Sequence, residues 1–596
     1  MELKPIDWVI IGAFFVISLL IGIVVSKKAG KNTSEFFLSG RTMPWWLLGI
    51  SMVATTFSAD TPNLVADIVR NNGVSGNWVW WSFLLTGMLT VFLYAKLWRR
   101  SGALTDLEFY ELRYSGREAA FLRGFRAVYL GFFFNVVTMA GVCLAAIKIG
   151  GVLLGLSPVQ TLFIASVVTV IYSSLGGLKG VLITDFFQFF MAMIGSVWAT
   201  TVIVNLPGIG GLDNLLAHEN VVGKLSILPD FSNTDLLITV FIIPIAVQWW
   251  SVWYPGSEPG GGGFIAQRML SAKDEKNAVW ATLLFNIIHY TIRPWPWILI
   301  ALASLVLYPE TSDLIGALPN MDPSVVKDDI SYSLMLRYLP TGLLGLVLAS
   351  LIAAFMSTIS TLLNWGSSYM VNDLYQRFIE PKASSKRLVF VAQLSIVLLM
   401  FFSSVLALFL SNAIQAFNII LQIGAGTGLL FILRWFWYRI NAWSEITAMV
   451  VSLFIALYFE AIHPHTGLPE LSSSVKLILG VLITTVAWVV VTLLTKPSDE
   501  KTLKSFYRLI RPGGRGWKKV LDEIRAEDPE DHGVSEKWDM PTAILCMITG
   551  SFMVFSALFS IGYLIYGNLK LGSIMTFLTV TSSWILLKLW KKLKMD

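Results

Sequence analysis

Apolar residues in this chain come in long blocks between short polar stretches, most of them close to the ~20 residues that a helix needs to cross a hydrocarbon layer about 30 Å thick. A window of that length finds about fifteen candidate spans, at 7–26, 45–69, 78–98, 122–153, 158–177, 181–206, 235–268, 277–308, 341–372, 387–410, 412–436, 443–463, 474–495, 541–566 and 570–591. Lys and Arg gather between them: Lys27, Lys28, Lys31 and Arg41 in the first loop, Arg99, Arg100, Arg113 and Arg117 in the third, Arg268, Lys273 and Lys276 in the seventh. Under the positive-inside rule these loops face the cytoplasm. The N-terminus then lies outside, and the tail KLWKKLKMD inside, a cell (plasma or inner) membrane.

Two spans break the pattern. Span 45–69 carries Ser51, Thr55, Thr56, Ser58, Asp60, Thr61 and Pro62, and the proline removes the amide that would bond the carbonyl of Ser58, so unwinding is expected near 54–62. Span 235–268 is interrupted by Pro255, Gly256, Glu258, Pro259 and Gly260 through Gly263, which cannot stay helical in hydrocarbon unless protein or water satisfies the backbone. The breaks lie five spans apart, as discontinuous helices do in the two halves of an inverted-repeat transporter with a midplane binding site. The alternative is a plain loop between two shorter spans.

The organisation that follows is all-α and integral to the membrane, a five-plus-five bundle with extra flanking helices. Residues 1–44 supply an added helix and the first loop, 45–206 and 235–436 the two repeats, and 207–234 an external loop between them. Residues 437–495 add further membrane helices, 496–540 form a charged cytoplasmic insert, partly helical, and 541–596 close the chain with two helices and a basic tail.

Composition agrees. The 596 residues are 55% hydrophobic and 14% charged, with a mean hydropathy of +0.68, which no water-soluble domain of this size tolerates. The net charge of +6 is spread over loops rather than gathered on one face, which excludes a nucleic-acid binder. The two cysteines, Cys143 and Cys546, sit in separate apolar blocks and support neither a disulfide framework nor a thiolate metal site. The five histidines include no His-Glu-x-x-His pair, which counts against a membrane-embedded metalloprotease.

The densest candidate chemistry lies in LASLIAAFMSTISTLLN, where Ser357, Thr358, Ser360 and Thr361 crowd one apolar helix and three of them, Ser357, Ser360 and Thr361, share a face. Hydroxyls together with freed carbonyls can replace the hydration shell of a hard monovalent cation. Single hydroxyls more often bond their own helix, but four together point to a ligand set. In GGLKGVLITDFFQFFMAMIG, Asp185 and Gln188 fall inside an apolar helix, where a carboxylate is costly and by default functional, or else paired with a Lys or Arg.

Gly176, Gly177, Thr184, Asp185 and Gln188 form a Gly-Gly turn followed by Thr-Asp and Gln. With FLSGR at 37–41, Gln267-Arg268 followed by Ala-Lys at 272–273, and AAFMSTIS at 353–360, the chain resembles the sodium:solute symporter family over most of its first 440 residues. The resemblance implies an APC/LeuT-like fold and sodium-coupled symport of a small organic solute by alternating access. It implies a sodium site from the carbonyls of Ala54, Phe57 and Ala354 with the hydroxyls of Ser357 and Thr358. A second site, held in some members by the motif aspartate and three hydroxyls, maps to Asp185, Ser357, Ser360 and Thr361, which makes two sodium ions per cycle the expectation.

The solute pocket departs from the sugar transporters of the family. Residues that bond sugar there fall on Thr61 and Trp80, a lysine on His289, a covering tyrosine on Tyr254 and a glutamine near Gln415, with Asn418 and Gln422 as neighbours. Thr56 joins this set from the first broken helix, and Arg293 lies one turn after His289. Aromatic faces with a few donors suit a sugar, an Arg and His four apart suit a carboxylate, and a sugar acid satisfies both. The competing assignments are that Arg293 snorkels outward or pairs with Glu258, and that the Trp residues form interfacial belts. A carboxylate or amino acid is the alternative solute, and a non-transporting sensor the alternative function. The expected partners are the solute, sodium ions and membrane lipids, and no nucleic acid.

Overall fold

The computed structural model describes residues 3–29, 32–251, 258–319, 321, 323, 326–410, 424, 426–528 and 539–593. Among them, nine helices are long and apolar enough to cross a membrane, and five shorter apolar helices accompany them. Each overlaps one of the expected windows, and Val74–Ser101, Gly116–Leu154 and Leu343–Ile379 run several residues beyond theirs. Span 412–436 lies largely outside the described residues, as do Tyr254, Gln415, Asn418 and Gln422.

Helix α1 (Pro5–Ala29) lies against the bundle. Its acidic residue caps another helix, since Asp7 Oδ1 accepts from the amides of Gly342 and Gly345, at 2.7 and 2.9 Å, at the start of the alcohol-bearing helix. The first broken helix consists of α2 (Trp45–Thr56) and α3 (Thr61–Asn72). Phe57 leaves the helix at φ −85, ψ 66, and Pro62 sits in the first turn of α3, where its missing amide costs nothing. There follow α4 (Val74–Ser101), a short α5 (Glu108–Arg113) and α6 (Gly116–Leu154).

Spans five and six adjoin directly, and α7 (Pro158–Val204) is two helices joined at Gly177, which takes φ 53, ψ −164, a conformation that disfavours any side chain. After α8 (Thr234–Ala246) the second break is present. A 3-10 turn follows at Gln248–Trp250, and among the described residues α-helix next appears at α9 (Gly263–Ser271), after Gly260 and Gly261 at φ 90 and 79. Protein groups satisfy its freed backbone: Trp98 Nε1 donates to the Gly260 carbonyl at 2.7 Å, and the Gly263 amide donates to Asp106 Oδ2 at 2.7 Å.

The bundle continues with α10 (Glu275–Thr291), α11 (Pro294–Leu307), α12 (Leu343–Ser368) and α13 (Ser385–Ala407). Helix α12 is the most deeply enclosed and packs on α7, α1, α2 and α13. After a short helix, α14 (Gly428–Leu433), the remaining apolar helices are α15 (Ala442–Leu457), α16 (Ser473–Leu494), α19 (Met540–Ile565) and α20 (Leu569–Trp590). The insert contains α17 (Glu500–Ile510) and α18 (Lys518–Glu527).

Candidate functional site

The opened backbone between α2 and α3 faces α12. Thr358 donates its hydroxyl to the Thr55 carbonyl at 2.8 Å, and Thr55 Oγ1 lies 3.1 Å from Thr361 Oγ1. Ala54, Phe57, Ala354, Ser357 and Thr358 are each at most 3% exposed, so the residues of the expected first ligand set are shielded from solvent. The Ala54 carbonyl accepts from the Phe57 amide at 3.1 Å, a tight final turn that leaves the carbonyls of this segment short of regular partners.

Asp185, on α7, meets the same junction. Ser357 donates to its Oδ1 at 2.7 Å and Ser51 to its Oδ2 at 2.5 Å. Ser360 does not join this group, because its hydroxyl turns back onto the Ser357 carbonyl at 3.1 Å. Arg268 does. Expected among the cytoplasmic loop charges, it lies instead on α9, wholly buried, with Nη2 3.8 Å from Asp185 Oδ2. Its guanidinium donates to Thr361 Oγ1 at 2.7 Å, to Thr55 Oγ1 at 3.2 Å and to Ser51 Oγ at 3.2 Å. The motif carboxylate therefore has a protein cation beside it, the paired arrangement that its sequence left open. Gln267 reinforces α9 from the next position, donating to Asn364 Oδ1 at 2.9 Å across to α12.

A second cluster lies on the other side of α2. Arg293 Nη1 donates to His289 Nδ1 at 2.7 Å and to Thr56 Oγ1 at 2.9 Å. Because a guanidinium can only donate, Nδ1 is the acceptor and the imidazole proton resides on Nε2. Arg293 is 1% exposed and lies over the rings of Trp297 (5.0 Å) and Phe57 (5.7 Å), so it does not snorkel outward. Nor does it pair with Glu258, which bonds Arg126 at 2.5 Å. Among the described residues no carboxylate lies within 4.0 Å of its guanidinium, and its Nε has no hydrogen-bond partner.

Trp80 forms a wall of this cluster, edge-on to His289 at 5.8 Å and stacked on Tyr290 at 5.9 Å, with its indole N–H on Asn77 Oδ1 at 2.8 Å. Trp81, Trp295 and Trp297 are buried rather than belted at the interface. Thr61 is half-buried at the first turn of α3.

A cavity of about 40 Å³ is lined by Thr56 and His289 together with Thr86, Thr90, Thr282, Asn286 and Glu258. Asn286 was not among the sequence candidates. It is 1% exposed, its Oδ1 has no hydrogen-bond partner, and it lies one turn before His289 on α10. A polar amide one turn from an intramembrane histidine was the available signal.

Two interrupted helices meeting an alcohol-lined helix across a buried junction define a secondary transporter of the inverted-repeat, LeuT-like kind, embedded in the membrane by many spans. The profile of the sodium:solute symporter family matches residues 36–452, and the chain belongs to that family of sodium-coupled transporters. The sodium/glucose cotransporter of Vibrio parahaemolyticus is 26% identical over 485 residues, covering 77% of this chain and 86% of that protein. The sodium/sialic acid symporter of Proteus mirabilis (strain HI4320) is 25% identical over 473 residues (76% and 89%). The osmoregulated proline transporter of Bacillus subtilis (strain 168) is 25% identical over 511 residues (84% and 96%). Among solved structures, the substrate-bound outward-open state of a sodium-coupled sialic acid symporter superposes with a TM-score of 0.66 at 22% identity, over 84% of this chain and all of that one (100%), which shows the shared fold.

Proposed function

We propose that this protein carries a small hydroxylated carboxylate, a sugar acid before a neutral sugar, into the cell together with sodium. One observation carries the coupling: the Thr358 hydroxyl reaches the carbonyl of Thr55, 2.8 Å away in the opened segment. Sodium bound by the carbonyls of Ala54, Phe57 and Ala354 and the hydroxyls of Ser357 and Thr358 would replace that direct contact and tie α2 to α12. The halves 45–206 and 235–436 would then rock about this tie, driven inward by the sodium gradient and by a membrane potential worth about 2.3 kcal/mol per charge per 100 mV. The cytoplasmic assignment of the basic loops gives an outside N-terminus and an inside C-terminus, and the protein performs transport rather than catalysis.

The solute class rests on Arg293. A buried guanidinium hydrogen-bonded to two neutral partners, with Asp60 acting on it only through space and no carboxylate in contact among the described residues, favours a ligand that brings one. His289 Nε2–H and Thr56 lie beside it for hydroxyl contacts. Trp80 supplies an aromatic face.

Asp185 supports a second reading of the ion count. Its oxygens belong to the second ligand set that the family resemblance implies, which favours two sodium ions per cycle. The Arg268 guanidinium beside it instead favours one, with the arginine serving as the fixed cation of that position. A coupling ratio measured in proteoliposomes separates the two. The function itself is tested by thermal-shift screening of purified protein against sugars, uronates, amino acids and monocarboxylates, each in sodium and in choline. Stabilisation by uronates in sodium alone is the expected result, and stabilisation independent of sodium would remove the symport assignment.

A further inference from the structure

A cavity of about 190 Å³ lies where α1, α6, α7 and α12 come together, and it shares no lining residue with the one beside His289. Its walls are aliphatic and aromatic: Ile11 and Phe15 from α1, Ile149 and Leu154 from α6, Val168 from α7, Leu348 from α12. Thr161 brings the one hydroxyl, which donates to the Ser157 carbonyl at 3.1 Å in its own helix. A buried water needs about two to four polar partners, and this lining presents almost no polar surface, so the space suits an apolar occupant. An apolar cavity of about 150 Å³ already holds a benzene-sized molecule. Two lining residues, Trp8 on α1 and Ile164 on α7, are 53% and 50% exposed, and Val9, Leu20, Phe163 and Val167 on the same helices are exposed with them. In a chain that spans the membrane, such an apolar face meets lipid. Four other lining residues, Ala59, Leu351, Phe355 and Met356, are at most 3% exposed. Ala59 lies in the break between α2 and α3, and Phe355 and Met356 stand between Ala354 and Ser357. The lining therefore runs from the lipid-facing surface into the buried bundle.

We infer that an acyl chain of a bilayer phospholipid enters this cavity between α1 and α7 and packs against Ala59 and α12. Transfer from one hydrocarbon surrounding to another gains nothing from the hydrophobic effect, so the stabilisation comes from contact. Atoms that face a space lose their dispersion partners on that side, and a chain restores them. The bilayer is the source because it holds chains at high local concentration against Trp8 and Ile164. From Leu348 to Met356, α12 advances about 12 Å at 1.5 Å per residue, which is room for the end of a chain and not for a whole lipid, so the headgroup stays outside. Touching both Ala59 and Met356, the chain bridges the break and α12. It thereby favours the arrangement in which the Thr358 hydroxyl reaches the Thr55 carbonyl.

The test reconstitutes the full chain into phosphatidylcholine vesicles doped with a phosphatidylcholine whose acyl chain carries a diazirine, and maps the photoadducts by peptide mass spectrometry. Adducts are expected on Ala59, Leu351 or Met356, which the bilayer surface does not touch, as well as on residues of the exposed faces such as Leu482 on α16. Ala165→Phe, which adds a ring to the lining, should lower the yield on the buried residues about tenfold and leave that on Leu482 unchanged. Should Ala165→Phe not fold, Ala146→Leu fills the same space from α6. Adducts confined to exposed positions overturn the proposal, as do buried adducts that neither substitution reduces. An alkyl maltoside bearing the same diazirine is then used on the protein in micelles, where added phosphatidylcholine should lower buried labelling about fivefold by competition. Buried labelling that phosphatidylcholine does not displace would make the cavity a space for any alkyl chain and overturn the phospholipid assignment. The readout needs neither sodium nor solute, so it stands apart from the transport reading.

Discussion

Arg268 and Asp185 stand 3.8 Å apart, Nη2 to Oδ2, both side chains wholly buried at the junction where α2, α7, α9 and α12 meet. Neutralising one partner leaves the other as a buried charge. Asp185→Asn is therefore expected to cost about 3–5 kcal/mol, visible as a lower melting temperature in sodium-free buffer. The double variant Asp185→Asn with Arg268→Gln should recover most of that loss. Additive destabilisation by the two single changes would show that the residues are not an energetic pair.

The Thr358 hydroxyl contributes one buried hydrogen bond in the sodium-free protein, worth about 0.5–1.5 kcal/mol. Thr358→Ala should therefore fold, with a modest loss of stability, yet lose the stabilisation that sodium confers and all sodium-dependent uptake. Thr358→Ser keeps the oxygen and should keep both. A sodium titration followed by melting temperature distinguishes the variants, and an undiminished sodium response in Thr358→Ala would remove this hydroxyl from the ion site.

The meeting of α2 with α12 was legible in the sequence because its parts are local. Pro62 marks where α2 cannot continue, and the alcohol spacing in 357–361 marks the face of α12 that meets it. Arg268 was misplaced for a physical reason: a cation at the end of an apolar block looks the same whether the next residues leave the membrane or fold back into the protein. Only the tertiary packing of α9 against α2 and α12 separates the two cases. Likewise the pairing of Glu258 with Arg126, 132 positions away, has no local signature. The Gly-Pro stretch could be read as a break but not as one whose amides end on Asp106, because that contact depends on where α5 docks. Tyr254 and Gln415 fall outside the described residues, so that part of the pocket rests on the sequence alone.

Arg293 separates the solute classes. If it binds a carboxylate, replacing it removes a charge-assisted interaction of about 1.5–3 kcal/mol, and the KM for an anionic solute should rise roughly 10- to 150-fold. Arg293→Lys keeps the charge but loses the planar fork, so its effect should be smaller, whereas Arg293→Gln should show the full loss. A neutral sugar carried equally well by all three proteins would assign Arg293 to structure alone.

The charged insert is docked, and its anchor is aromatic. Trp517 donates its indole N–H to the Trp435 carbonyl at 2.8 Å and stacks on Phe506 at 5.6 Å. The Arg113 guanidinium sits over the rings of both, at 4.8 and 5.3 Å, while its Nε donates to the Arg434 carbonyl at 3.0 Å. Arg100 reaches the Ile510 carbonyl at 3.0 Å from the end of α4. Removing the Trp517 side chain takes away the lid of this cage and should cost about 3–5 kcal/mol, concentrated in the insert. Limited proteolysis should then cut Trp517→Ala between residues 496 and 540 much faster than the parent protein, with cleavage of the membrane helices unchanged. Unchanged proteolysis of Trp517→Ala would show that contacts other than this cage hold the insert.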